Sequence, residues 1–264
     1  MEEVESESKF FWKIILRIIL LPITLFLVII RKREFKELFE PIRLFFEFIF
    51  QAKFTLMLII INTTIFIWSG FWSESTTNLL ISYPSDFLST RAYTLITSGF
   101  MHASWEHLLG NMLALFIFGR VVERKLGIGK SILVYFGALI ISGVFSSGID
   151  LLSGSTVPSL GASGAIMGFI AAAILLDPFY FTYELIIPLP IMLVGWMTIY
   201  ADIIGILNPV EDGIGHFAHL GGFLSITLLL FFLGTEDKQT LKKGFYINIF
   251  SLIFFSIIYF LFIA

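Results

Sequence analysis

Apolar residues run through this chain in blocks as long as a helix needs to cross lipid. A hydrocarbon core about 30 Å thick takes roughly 20 apolar residues per helix. Such blocks fall at 54–72, 104–121, 130–149, 162–177, 184–206, 214–233 and 245–263, and they predict seven transmembrane helices. The first ends in Trp68, Phe71 and Trp72, aromatics of the kind that gather at a membrane–water boundary. Residues 73–103 predict a long loop carrying Pro84, Asp86 and Arg91.

Upstream, residues 14–30 are apolar apart from Arg17, with Pro22 in the middle. Arg31, Lys32 and Arg33 follow, then an amphipathic stretch at 35–52. This segment reads equally as a span or as a basic amphipathic helix lying in the interface. Cytoplasmic loops collect Lys and Arg, which sets the orientation. Arg31, Lys32, Arg33, Lys36 and Lys53 precede the first span. Arg120, Arg124, Lys125 and Lys130 lie between the second and third, and Lys238, Lys242 and Lys243 between the sixth and seventh. These regions are expected in the cytoplasm. The loops at 73–103, 150–160 and 207–213 hold only Arg91 and are expected outside. The chain then divides into an N-terminal extension at 1–52, cytoplasmic, interfacial or membrane-associated, a six-helix core at 53–234, and an additional C-terminal transmembrane helix at 235–264.

Composition agrees with a multi-pass integral membrane protein. Of 264 residues, 57% are hydrophobic and 14% charged, against about a quarter charged in a soluble domain. The 31 phenylalanines suit lipid-facing helices. The net charge of −3 argues against nucleic acid, which demands a basic patch. Absence of Cys excludes disulfides, thiolate catalysis and Cys-type metal sites. The first eight residues are acidic and polar, unlike the basic start of a signal peptide. Insertion is therefore expected to begin at an internal helix.

Candidate chemistry gathers at the outer ends of the spans, where all four histidines fall. Ionisable groups within a bilayer are costly and point to function by default. His102 leads a first cluster in which His107 and Asn111 are four residues apart, so both project from one helix face. They read either as hydrogen-bond donors into a common space or as ties between loop and helix end. Ser163 opens a small-residue helix within Gly161-Ala-Ser-Gly164 and, further on, Gly168. A serine there sits beside free N–H groups and the positive end of the dipole, where a nucleophile next to an oxyanion hole belongs. It also reads as an ordinary N-cap. His216 and His219 precede Gly221 and Gly222. Ala218 with Gly222, and Gly164 with Gly168, form two small-residue faces that permit close helix approach. That approach would bring Ser163 within hydrogen-bonding reach of His219, as nucleophile and general base require. His219 reads otherwise as a buried histidine bonded to a carbonyl. Asp202 is an intramembrane carboxylate of the fifth span, and the set reads as a Ser–His dyad without an obligatory acid.

Taken in order, these residues resemble the rhomboid family. Phe100-Met-His102 with His107-Leu-Leu-Gly-Asn111 is similar to its second-helix motif. Phe118-Gly119 with Glu123 and Gly127 is similar to its cytoplasmic turn, Gly161-Ala-Ser163-Gly164 to its GxSG motif, and Ala218-His219-Leu-Gly221-Gly222 to its histidine motif. The resemblance implies an all-α, polytopic transmembrane helix bundle of six core helices plus one C-terminal helix. It implies an intramembrane serine endopeptidase with Ser163 and His219 catalytic, and with His107, Asn111 and the Ser163 N–H as oxyanion donors. His102 would support the outer loop. Gly161, Gly164, Gly168, Gly221 and Gly222 would serve close packing. The implied partners are transmembrane protein substrates and the lipid bilayer, with no cofactor and no metal, and a site opening to the extracytoplasmic side. Motion of the fifth span and of the loop at 207–213, with Pro209, would admit substrate. Two positions depart from the family. Tyr93 and Thr94 stand where it carries Trp-Arg, and Met167 where it often has an aromatic ring. A non-catalytic rhomboid-like binder or chaperone of transmembrane helices is the alternative. A metal-dependent protein with histidine ligands is a third reading, although no H-E-x-x-H pattern is present.

Overall fold

In a computed structural model, residues 7–182, 188–209 and 213–262 are described. Two short helices begin the chain, α1 (Glu7–Ile19) and α2 (Leu21–Ile29), bent by 54°. The apolar stretch at 14–30 is therefore broken at Leu20. Pro22 stands in the first turn of α2, where its missing N–H has no helical partner to lose. Helix α3 (Glu40–Phe50) turns by 90° into α4 (Lys53–Ser69). The buried face of α3, Leu44 and Phe48, packs on Phe116. Arg120, expected in a cytoplasmic loop, is instead 1% exposed. Its guanidinium lies 3.6 Å from the Phe48 ring centre and 4.8 Å from that of Phe116. Two aromatic faces shield the charge in place of water.

The long loop after α4 contains α5 (Glu74–Leu80) and α6 (Thr94–Thr97). Helix α7 (Trp105–Ala114) passes through a π-helical turn (Leu115–Gly119) into α8 (Arg120–Leu126), so the block at 104–121 continues to 126. Buried Glu123 accepts hydrogen bonds from Phe54 N (3.0 Å), Thr55 N (2.9 Å) and Thr55 Oγ1 (2.9 Å). A carboxylate at the start of α4 satisfies two orphan N–H groups and the positive dipole end. Gly127, at φ 78°, reverses the chain into α9 (Ile128–Ser153).

Helix α10 (Ser163–Leu176) is followed by an antiparallel pair, β1 (Phe181–Thr182) and β2 (Leu189–Pro190), with Phe181 opposite Pro190. Then come α11 (Ile191–Leu207), α12 (His216–Leu229) and α13 (Thr235–Phe262). Of the block at 184–206, residues 184–187 lie outside the described residues, Pro188–Pro190 are not helical, and α11 begins at Ile191. Pro188 and Pro190 explain the late start, because proline blocks helix on its N-terminal side.

Helix α10 is the centre of the bundle, with every residue from Gly164 to Ile174 buried. It is flanked by α9 and α12 and touched by α11 and α13. Asn248 of α13 donates to Ile174 O (2.8 Å) and accepts from Trp196 Nε1 of α11 (2.8 Å). That one amide joins three helices. Individually, α9 and α13 are long and apolar enough to cross a membrane, and α10, α11 and α12 are shorter apolar helices. Outward-facing phenylalanines such as Phe231, Phe250 and Phe260 are exposed, as lipid contact requires. The architecture is an all-α polytopic bundle of six core helices, α4, α7–α8, α9, α10, α11 and α12, plus α13.

Candidate active site

The length of α10 sets the depth of the site. Fourteen residues extend about 21 Å, short of the roughly 30 Å hydrocarbon core. One end must therefore stop inside the bilayer. At the C-terminal end, Asp177 pairs with Lys125 at 2.8 Å, both side chains partly exposed, which marks a polar boundary. By this length argument the end that begins with Ser163 is the one to be recessed. Its approach loop is held by mutual bonds between Ser82 and Ser159 (3.1 and 2.7 Å) and by Gly161 N to Ser98 O (2.9 Å). Gly161 turns the chain at φ 116°, a region that L side chains rarely adopt. The leading N–H groups of α10 have no partner within the helix.

Glycine lets α10 and α12 touch through their backbones. A Cβ on Gly222 would strike the Gly164 carbonyl. One on Gly168 would lie 3.3 Å from Ser225 Oγ and 3.5 Å from Gly222 O, and one on Gly164 3.7 Å from Ala218 O. Gly221 faces away, and a Cβ on it would lie 2.9 Å from Cβ and Cδ1 of Phe145 on α9. The contact sets the start of α10, with Ser163, against the first turns of α12, with His219. Met167, one turn into α10, is buried beside Gly222.

On α12, His219 Nδ1 lies 2.8 Å from Asp202 Oδ1 of α11, and His216 Nδ1 lies 2.9 Å from the same oxygen. Asp202 is 6% exposed. Its Oδ2 is buried with no hydrogen-bond partner among the described residues. The His216 ring also lies against the α11 backbone at Gly205. Sequence reasoning set Asp202 aside. Its signal was there: it is the one charged residue in Ile191–Leu207, at a depth where charge implies function. Ligand atoms of Asp202, His216 and His219 lie within 4.8 Å of one another, a spacing that suits a divalent cation. The Nδ1–Oδ1 lengths are equally those of imidazole N–H groups donating to a carboxylate.

Opposite, α7 presents His107 and Asn111 to the loop before Ser163. A Cβ on Gly161 would lie 2.7 Å from His107 Nε2 and 3.8 Å from Asn111 Nδ2. Asn111 is 7% exposed and its Nδ2 is buried without a partner among the described residues. His107 Nδ1 accepts from Ala103 N at 3.5 Å, which in a neutral ring leaves the hydrogen on Nε2. His102 stands edge-on to His107, ring centres 5.0 Å apart. Burial, with the His107 charge as the second cause, pushes the His102 imidazole down to about 4. In the loop between α4 and α7, Arg91 contacts Asp86 Oδ1 (3.0 Å), Asn78 O (2.8 Å) and Ile81 O (3.3 Å). Arg91 thus ties the loop in a chain that has Tyr93 and Thr94 in place of Trp-Arg.

A bundle of apolar helices around a short central helix, opening on a recessed polar cluster, defines an integral membrane protein. Residues 89–236 match the Rhomboid domain, more than half of the chain, which belongs to the rhomboid family. It is 32% identical over 181 residues to RHOMBOID-like protein 12, mitochondrial, of Arabidopsis thaliana, covering 62% of this chain and 54% of that protein. It is 29% identical over 118 residues to Rhomboid protease GlpG of Photorhabdus laumondii, covering 44% and 40%. With Rhomboid protein 1, mitochondrial, of Saccharomyces cerevisiae it shares 29% over 160 residues, covering 58% and 46%. The chain spans about half the length of the curated relatives it matches.

Proposed function

We propose that this protein is an intramembrane serine endopeptidase. It cleaves transmembrane or membrane-proximal segments of membrane proteins with Ser163 and His219, in a cavity open to the extracytoplasmic side. The observation that carries this reading is the backbone contact of Gly164 with Gly222, which supports a meeting of the two side chains at the recessed end of α10. Donors stand opposite, in His107 and the orphaned amide of Asn111. A named protease among the relatives adds weight.

In this reading the Ser163 Oγ attacks the scissile carbonyl carbon as His219 Nε2 takes its proton. His107 Nε2–H, Asn111 Nδ2–H and the Ser163 N–H stabilise the oxyanion. The tetrahedral adduct collapses, the C–N bond breaks, and His219 returns the proton to the leaving amine. Water entering from the outer side then hydrolyses the acyl-enzyme. A substrate helix must unwind first, because a helical peptide carbonyl is engaged, so helix-breaking residues near the outer end of a substrate span favour cleavage. The chemistry belongs to residues 53–234. The helix at 235–264 buttresses α10 through Asn248, and residues 1–52 form a cytoplasmic, interfacial or membrane-associated extension. Substrate enters by movement of α11 and of the loop at 207–213, of which residues 210–212 lie outside the described residues.

Incubating the purified protein with a model transmembrane substrate, and mapping products by mass spectrometry, tests this. Wild type cuts; Ser163→Ala and His219→Ala do not, while still inserting and folding. Turnover by Ser163→Ala removes the nucleophile. Binding of transmembrane helices without any cut by wild type favours the non-catalytic reading. Loss of turnover with a chelator points to a cation on Asp202, His216 and His219.

A further inference from the structure

We infer that Asp202 is a positioning residue for His219, so that the proposed Ser–His pair is completed by a carboxylate from the neighbouring helix α11. The inference deepens the proteolytic reading and rests on it. Its basis is the 2.8 Å contact between His219 Nδ1 and Asp202 Oδ1. An ionised carboxylate only accepts hydrogen bonds. Nδ1 must then carry the hydrogen, and Nε2 keeps the lone pair that a general base needs. The ring is held at one nitrogen, with the other turned away from α11.

His216 makes this more than an incidental pairing. It sits one turn earlier on α12, and its Nδ1 reaches the same Oδ1 at 2.9 Å. The carboxylate keeps a donor whatever His219 does during turnover. Asp202 is itself 94% shielded, at 6% exposure, on an otherwise uncharged helix. A buried carboxylate is tolerated only where donors compensate for lost water, and two imidazoles supply them. When the Ser163 proton moves to His219 Nε2, the imidazolium forms 2.8 Å from a negative oxygen, which lowers the energy of that charge pair. The proton ends on Nε2 and Asp202 stays ionised. The same bonds latch α11 to α12 beside the site.

The test uses the full-length protein in detergent and a model transmembrane substrate. Asp202→Asn keeps the shape but lets the amide donate to Nδ1, which shifts the hydrogen to Nε2 and removes the acceptor for Ser163. We expect kcat to fall by about 10²- to 10⁴-fold with KM little changed, and the melting temperature to stay near wild type. A folded Asp202→Asn protein with kcat within about threefold of wild type overturns the inference. A second measurement does not depend on that variant folding. Nitrogen-15 histidine spectra of wild-type protein, assigned with His219→Gln, report which ring nitrogen bears hydrogen. Nδ1–H is expected for His219, and Nε2–H overturns the assignment. Ser163→Ala keeps the two ideas separable. Its turnover sinks the protease itself, whereas a dead Ser163→Ala beside a normal Asp202→Asn sinks only the role of Asp202.

Discussion

The imidazole of His107 is packed against the backbone of Gly161, so closely that a methyl group on Gly161 would lie 2.7 Å from Nε2. A donor on α7 and the loop that delivers Ser163 are thereby set face to face. Gly161→Ala should injure this contact twice. Its φ of 116° is unfavourable for any L side chain, at about 1–3 kcal/mol, and the new Cβ pushes the ring away. Turnover should fall further than thermal stability does. A variant as active as wild type in a peptide-release assay would show that the ring need not sit there.

Gly222→Ala should separate α12 from α10. Its Cβ meets the Gly164 carbonyl, and backbone cannot swing aside as a flexible side chain can. Overpacking of this kind costs about 1–3 kcal/mol, and cleavage should fall with stability. Gly148→Ala on α9, where nothing lies within 4 Å, is the matched control and should be neutral. Equal melting curves for the two variants would argue against the backbone contact.

Asn111→Ala should lower turnover by roughly 10²-fold or less, since other oxyanion donors remain. Its Nδ2 is buried without a partner among the described residues, and such an amide opposes folding. Stability should therefore hold or rise while activity drops. A loss of stability larger than the loss of activity would mark Asn111 as structural.

His102 should make the fold sensitive to acid. Its pKa is lowered to about 4 by burial, against about 6.5 in an unfolded chain. Above about 6.5 it is neutral in both states and its part of the stability is fully present. As pH falls from there toward 4, the unfolded chain takes up a proton that the folded protein refuses, and stability drains away. His102→Gln should flatten this dependence when melting temperatures are compared at about pH 7.5 and 4.5. Parallel curves for the two proteins would assign the acid sensitivity to other groups.

Much of this was legible along the chain because its causes are local. Lipid demands long apolar blocks, and α4, α9, α10 and α12 lie where such blocks fall. Close helix packing demands small residues at fixed spacing, which the glycines of α10 and α12 display. Three features were not legible. Arg120 read as a loop cation, because nothing near it in sequence announces the Phe48 and Phe116 rings that enclose it. Helix α11 was expected to begin before Ile191, since hydropathy counts Pro188 and Pro190 as tolerable while backbone geometry does not. The pairing of Asp202 was hidden, because that carboxylate, conspicuous on its own span, lies 17 residues from the histidine it holds.

By itself, then, the order of residues determined that this is a helical membrane protein, which helix faces could come together, and which residue types could do chemistry at their ends. Only the tertiary structure decided which nitrogen of His219 is engaged, and that a carboxylate of α11 engages it. Hydrophobic length and small-residue spacing are properties of one segment. Pairing and burial arise only when separate segments share space.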